Sequence, residues 1–145
     1  MQVFLISLIY SLSPMFNINP KLALAVAKHE SKLNPNAIGS HKEVGIFQVR
    51  PKYSKFTAKQ LRDPITNIKE GLRILAEAQD NCRHKLDYKF IVCFNAGKSG
   101  GSRLKYPTKF PYYKKVMQEM ALLRLSRLEY SGLDLINERL VGEVQ

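Results

Sequence analysis

The sequence predicts an all-α, mainly helical single domain, with β structure limited at most to a short hairpin. Three observations carry that expectation. The chain has 145 residues, about the length of one domain. Apolar residues recur at three- and four-residue spacing along most of it, which is the helical period. Asn19-Pro20 and Asp63-Pro64 each place a capping side chain before a proline at a first helical position. A chain of this size buries about two-thirds of its unfolded surface, so it needs no metal or disulfide staple. Its 45% hydrophobic and 24% charged content exclude a disordered or fibrous chain.

Taken in order, the elements are these. The apolar run from Met1 to Ser13 carries no charge and is too short for a membrane span, which needs about 20 residues. It lacks the positive flank of a secretory signal, so it reads as a buried first helix with Phe4, Leu5, Leu8, Ile9 and Leu12 inward. A second helix runs from Pro20 to about Lys32 and stops at Asn34-Pro35. Val44-Gly45-Ile46-Phe47-Gln48-Val49 reads as a short strand or an irregular buried loop. Thr57 and Gln60 have capping-box spacing for a brief helix. The long helix from Asp63-Pro64 to about Cys82 buries Ile65, Ile68, Leu72, Leu75 and Ala76, with Gly71 marking a close helix contact. Tyr88 to Ala96 is a short apolar helix ended by Gly97. Lys98 to Lys109 reads as a flexible basic loop. A last long helix spans Pro111 to about Tyr130, and Ser131-Gly132 separates it from a short helix or tail. The main domain is set at residues 1–120, with 121–145 as its helical extension.

Charge and cysteines bound the chemistry. Lys plus Arg number 23 against 12 Asp plus Glu, a net charge of +11. That excess favours a polyanion: nucleic acid, an anionic membrane or an acidic cell-wall polymer. Cys82 and Cys93 form no CxxC pattern, and His29, His41 and His84 share no ligand spacing, so neither metal nor cofactor is expected. The two cysteines read as free thiols packed in helices, or as a disulfide if the chain works outside the cytoplasm.

One carboxylate is out of place. At 100° per residue, Leu22, Ala23, Val26, Ala27 and Leu33 share one side of the second helix, and Lys21, Lys28 and Lys32 lie opposite. Glu30 falls on the apolar side, and no other acidic residue precedes Glu43. Burial disfavours a charged carboxylate and raises its pKa, which suits a general acid. Lys98, Arg103, Lys105 and Lys109, interleaved with Tyr106 and Phe110, have the makeup of a polymer-binding strip, though such runs are more often solvated loops.

The order of short motifs then resembles a known family. His29-Glu30-Ser31 with Asn34-Pro35-Asn36-Ala37 and Ser40 resembles the "ES.fNp.A.S" block of soluble lytic transglycosylases. Gly45-Ile46-Phe47-Gln48-Val49 with Pro51 resembles "GLMQ…P", and Leu61-Arg62-Asp63-Pro64 with Asn67-Ile68 and Gly71 resembles "l.dP..Ni..G". Phe94-Asn95-Ala96-Gly97 resembles "YNAG", and Pro111-Tyr112 with Val116 resembles the final "YV..V" block. The resemblance implies a lysozyme-like fold whose groove binds peptidoglycan glycan strands. It also implies cleavage between N-acetylmuramic acid and N-acetylglucosamine by one catalytic Glu, which matches Glu30. Ser31 is then expected to orient Glu30. Phe47, Gln48, Phe94, Asn95, Ala96, Gly97 and Tyr112 are expected to contact substrate. Phe94 stands where the family has Tyr, which leaves that hydroxyl to Tyr112, Tyr113 or Tyr88, and Phe47 replaces Met.

By the same resemblance the N-terminal apolar run lies inside the fold, leaving little room for a cleaved signal. Action at the bacterial cell wall, in the periplasm or from a virion, then calls for delivery by a phage particle or a secretion apparatus. Anionic wall polymers are further expected partners, and nucleic acid ranks last. Two alternatives remain: a hydrolytic muramidase using Glu43 or Asp63 as a second carboxylate, and a catalytically weak wall-binding or virion module.

Overall fold

In a computed structural model, residues 1–126 are described. Six helices carry the fold: α1 Gln2–Leu12, α2 Pro20–Ser31, α3 Ala58–Leu61, α4 Pro64–Asn81, α5 Ile91–Ser102 and α6, residues 111–126. The expected caps form. The Asn19 side chain accepts from the Lys21 amide, Asp63 from the Thr66 amide, and Thr57 with Gln60 closes a full capping box. Each satisfies amides that a helix start leaves without a partner. Among the described residues there is no extended strand. The 44–49 run is a tight loop in which Val44 and Val49 exchange both backbone hydrogen bonds.

The core lies where α1, α2 and α4 meet, with α5 packed on α4. Leu5 and Ile9 of α1, Leu22 to Ala27 of α2, and Ile68, Leu72 and Leu75 of α4 are buried. Phe4 and Ile65, expected inside, are exposed. Each sits at the edge of its apolar stripe, beyond the reach of the neighbouring helix. Leu33 is buried as expected, although α2 has already ended: Lys32 and Leu33 take left-handed backbone angles that turn the chain.

Three other expectations change. Gly71 does mark a close contact, but with a loop residue: a Cβ there would strike the Phe47 ring. The Lys98–Lys109 segment is not an open loop, because Lys98 to Ser102 continue α5 beyond a break at Gly97, and Pro107–Lys109 form a 3-10 turn. Cys82 and Cys93 are joined in a disulfide, their Cα atoms 5.9 Å apart. The end of α4 and the first turn of α5 meet there, a proximity that sequence spacing does not reveal. The expected boundary at residue 120 falls inside α6, and Tyr130, the Ser131-Gly132 break and the rest of the extension lie outside the described residues.

Candidate active site

Glu30 sits in the last turn of α2 at the floor of a groove of about 630 Å³. The apolar neighbours that make α2 a core helix also draw this carboxyl out of water. Burial is the largest cause pushing its pKa up to about 7, with the Glu43 charge adding and Tyr112 opposing. The negative end of the helix dipole acts in the same direction as burial. At neutral pH the group is therefore close to evenly divided between acid and carboxylate, which suits a group that must give up and take back a proton.

One side of the groove comes from the loop after α2: Glu43, Phe47, Gln48, Val49 and Arg50, with Tyr53 beyond. The loop is tied down at several points. The Phe47 amide donates to Asn67 Oδ1 at 2.8 Å, and Asn67 Nδ2 donates to the carbonyls of Val44 and Leu61, each at 2.8 Å. Gln48, itself at a left-handed φ of 49°, donates through Nε2 to the Gly45 carbonyl at 2.9 Å. Across the groove, Phe94, Asn95, Ala96, Gly97 and Lys98 form the second wall, and α4 closes one end with Ile74, Glu77, Ala78 and Asn81.

The expected residues thus converge, with three exceptions, the first being Phe47, whose ring is fully buried against Gly71 and so supports the groove wall rather than meeting substrate. Ser31 does not reach Glu30. Its hydroxyl donates to the Ile46 carbonyl at 2.8 Å, with the Ala27 carbonyl 3.3 Å away, and so fastens the groove loop to the end of α2. Tyr112 does not line the groove. It is buried behind Glu30, edge-on to His29 with ring centroids 5.1 Å apart. Burial, then the neighbouring Glu30 charge, raise the Tyr112 pKa well above that of an ordinary tyrosine. Its hydroxyl lies beside the Glu30 carboxyl without completing a hydrogen bond of standard geometry, the one such buried side-chain atom among the described residues. A buried hydroxyl without a partner is costly, and a full carboxylate charge on Glu30 is what would draw its proton.

Of the two candidate second carboxylates, Asp63 is excluded by position. It caps α4, accepting from the Thr66 amide and hydroxyl at 2.9 Å each. Glu43 borders the groove. Burial pushes its pKa upward, but amide donation from Glu43 and His41 and the Arg50 charge outweigh that and hold it below the usual range. Two carboxyls in one groove therefore carry opposite bias, Glu30 toward the acid and Glu43 toward the carboxylate. Tyr88 and Tyr113 stand away from the acid: the Tyr88 hydroxyl accepts from Asn19 Nδ2 at 2.7 Å and Tyr113 donates to the Asp87 carbonyl at 2.8 Å. Neither replaces the hydroxyl that Phe94 lacks. The described residues hold no cluster of metal-ligating side chains and no helix long and apolar enough to cross a membrane.

The main residue that sequence reasoning passed over is Asn67. It appeared only as a motif letter, yet it holds two backbone groups of the groove loop, at Phe47 and Val44, and ties them to the Leu61 carbonyl at the end of α3. A polar side chain on the apolar face of α4 was the available signal.

Comparison with known proteins agrees with this geometry. The model of the transglycosylase SLT domain matches residues 7–115, a span that includes Glu30, both groove walls and Tyr112. The chain belongs to the transglycosylase SLT family. That membership carries the lysozyme-like, mainly helical fold and, at family level, a lytic-transglycosylase type of action on peptidoglycan. The invasion protein IagB of Salmonella typhi is 27% identical over 129 residues, covering 79% of each chain. No solved structure matches the chain.

Proposed function

We propose that the protein is a peptidoglycan lytic transglycosylase in which Glu30 is the single catalytic group. The observation that carries this reading is a carboxyl drawn into an apolar helix face at the floor of an open groove, with a pKa near 7. Protonated Glu30 donates to the glycosidic oxygen between N-acetylmuramic acid and N-acetylglucosamine. The substrate's own N-acetyl group stabilises the developing oxocarbenium charge. Ionised Glu30 then removes the proton from the muramic C6 hydroxyl, which closes a 1,6-anhydro ring without water. Gln48 and the Phe94–Gly97 wall grip the glycan, Phe47 packs on Gly71 beneath them, and the Tyr112 hydroxyl turns to Glu30 when it carries charge. The cut serves local opening of the wall by a phage or secretion-type apparatus.

The muramidase alternative has a specific observation in its favour, the ionised Glu43 in the same groove. A hydrolase needs such a second carboxylate to activate water or to stabilise the intermediate. Mass spectrometry of sacculus digests separates the two reactions. Anhydro-muropeptides are the expected product, and reducing ends heavier by about 18 Da, one water, would establish hydrolysis. Glu30→Gln keeps the shape of the side chain and removes the transferable proton, so turnover should vanish while the fold survives. Muropeptide release by Glu30→Gln at the parent rate would remove Glu30 from the mechanism and favour a binding module.

A further inference from the structure

The two walls of the groove are anchored by different means. The loop at 44–49 is held by two hydrogen bonds of Asn67, which a third ties to the end of α3, and by Gln48. Among the described residues the opposite wall has no comparable polar network. It leaves the core at Cys93, the last buried residue of the first half of α5, and runs exposed from Asn95 to Gly100. The helix breaks at Gly97 (φ 80°, ψ 161°), where a Cβ would meet nothing within 4 Å.

What holds it is its base. The chain returns at Gly101, which approaches so closely that a Cβ would lie 2.6 Å from the Cys93 backbone. Ser102 follows, its hydroxyl 3.5 Å from Cys93 Sγ and accepting from the Arg83 amide at 3.1 Å. Both ends of the exposed stretch therefore rest on Cys93, and Cys93 is bonded to Cys82 at the end of α4. Cys82 follows Asn81, which closes one end of the groove, so the bond links two of the groove's sides.

We propose that the Cys82–Cys93 disulfide is a redox-sensitive clamp that positions the Phe94–Gly97 wall for glycan, and that its reduction loosens this wall while the rest of the domain stays folded. The inference rests on the reading of the groove as the glycan site. A dithiol supplies the two electrons. Its thiolate attacks one sulfur, the other Cys leaves as thiolate, and the reagent's second thiol displaces the mixed disulfide to give a cyclic disulfide and two protein thiols. The cysteines are only 1% and 5% exposed and border the groove, so the reagent reaches them through it and a bound glycan stands in its way.

The test is hydrogen–deuterium exchange of the full chain, oxidised and after dithiothreitol, paired with kinetics of muropeptide release. The amides from 94 to 102 should exchange at least about tenfold faster after reduction, while those of Val26 and Ala27 keep their rate. The kcat/KM should fall by at least about tenfold, mainly through KM, with the pH profile unmoved. The paired Cys82→Ser and Cys93→Ser variant should reproduce the reduced protein without reagent. Chitohexaose should slow the reduction itself. Faster exchange throughout the domain, or global unfolding, would make the bond a general staple and overturn the clamp. Unchanged exchange at 94–102, or a local rise with kcat/KM intact, overturns it equally. An oxidised protein that releases no muropeptides defeats the functional reading instead, and the exchange pattern still decides whether the bond holds this wall.

Discussion

Glu30 trades stability for chemistry, and the trade has a sign that can be checked. A carboxyl whose pKa rises from 4.5 to about 7 on folding binds its proton more tightly folded than unfolded. Stability that this group lends is then fully present below pH 4.5 and is lost as pH climbs toward 7. Glu30→Gln, which never ionises, should therefore be more stable than the parent at pH 8 by at most ~3 kcal/mol and equal to it at pH 4. Thermal melts at the two pH values measure this, and a parent that is the more stable at pH 8 would refute burial as the cause. Activity has its own limb: acid catalysis needs the proton, so the rate should decline as pH passes about 7. Tyr112 opposes the upward shift, so Tyr112→Phe should raise the Glu30 pKa further and move that limb to higher pH. A limb that stays in place would mean the hydroxyl never engages the acid. Glu30 was legible in the sequence because a helical wheel shows a charge on an apolar face. Tyr112 was legible only as a motif letter, since its approach to Glu30 joins residues 82 positions apart.

At the scale of elements, α4 is the part on which the 44–49 groove loop is built. Its capping side chain, its proline and most of its apolar stripe follow from local spacing, and they form as the sequence predicts. What local spacing does not carry is which partner each stripe residue meets. Gly71 faces the Phe47 ring, and Asn67, buried, replaces the hydrogen bonds that a strand partner would have given the 44–49 loop. The same gap explains the cysteines, whose pairing depends on how α5 returns along α4. Gly71→Ala should push the Phe47 ring toward the groove, costing about 1–3 kcal/mol by overpacking and raising KM. Asn67→Ala should be worse, because it strands a buried amide and two carbonyls at about 1–3 kcal/mol each before any relaxation. Urea denaturation with parallel kinetics reads both. A Gly71→Ala protein as stable and active as the parent would show that Phe47 has room that the structure denies it.

At the scale of the molecule, the excess of +11 surrounds a site whose own charges are mixed, with Glu43 paired to Arg50 at 3.6 Å on one wall and Glu77 and Lys98 also lining the groove. The cations lie mainly elsewhere. Lys21 and Lys28 are half-exposed on α2 and Lys32, just past its end, is exposed. Lys105 and Lys109 both stand over the exposed Tyr106 ring, 5.4 and 5.0 Å from its centroid. Arg124 extends the pattern along α6, and Arg127 falls outside the described residues. Such a distribution attracts a polyanion at long range without crowding cations into the groove, so binding and cleavage should separate experimentally. Raising ionic strength from 0.05 to 0.5 M shortens the Debye length from roughly 14 to 4 Å, which screens dispersed surface charge far more than buried contacts. Sedimentation with purified sacculi should therefore show affinity falling steeply with salt, while turnover of a short soluble muropeptide, held by groove contacts alone, changes little. Charge reversal at Lys105 and Lys109 should weaken sacculus binding and leave that short substrate untouched. If salt depressed both to the same degree, the cations would belong to the groove's own recognition. If duplex DNA displaced sacculi at equal salt, the polyanion sensed by this surface would be nucleic acid.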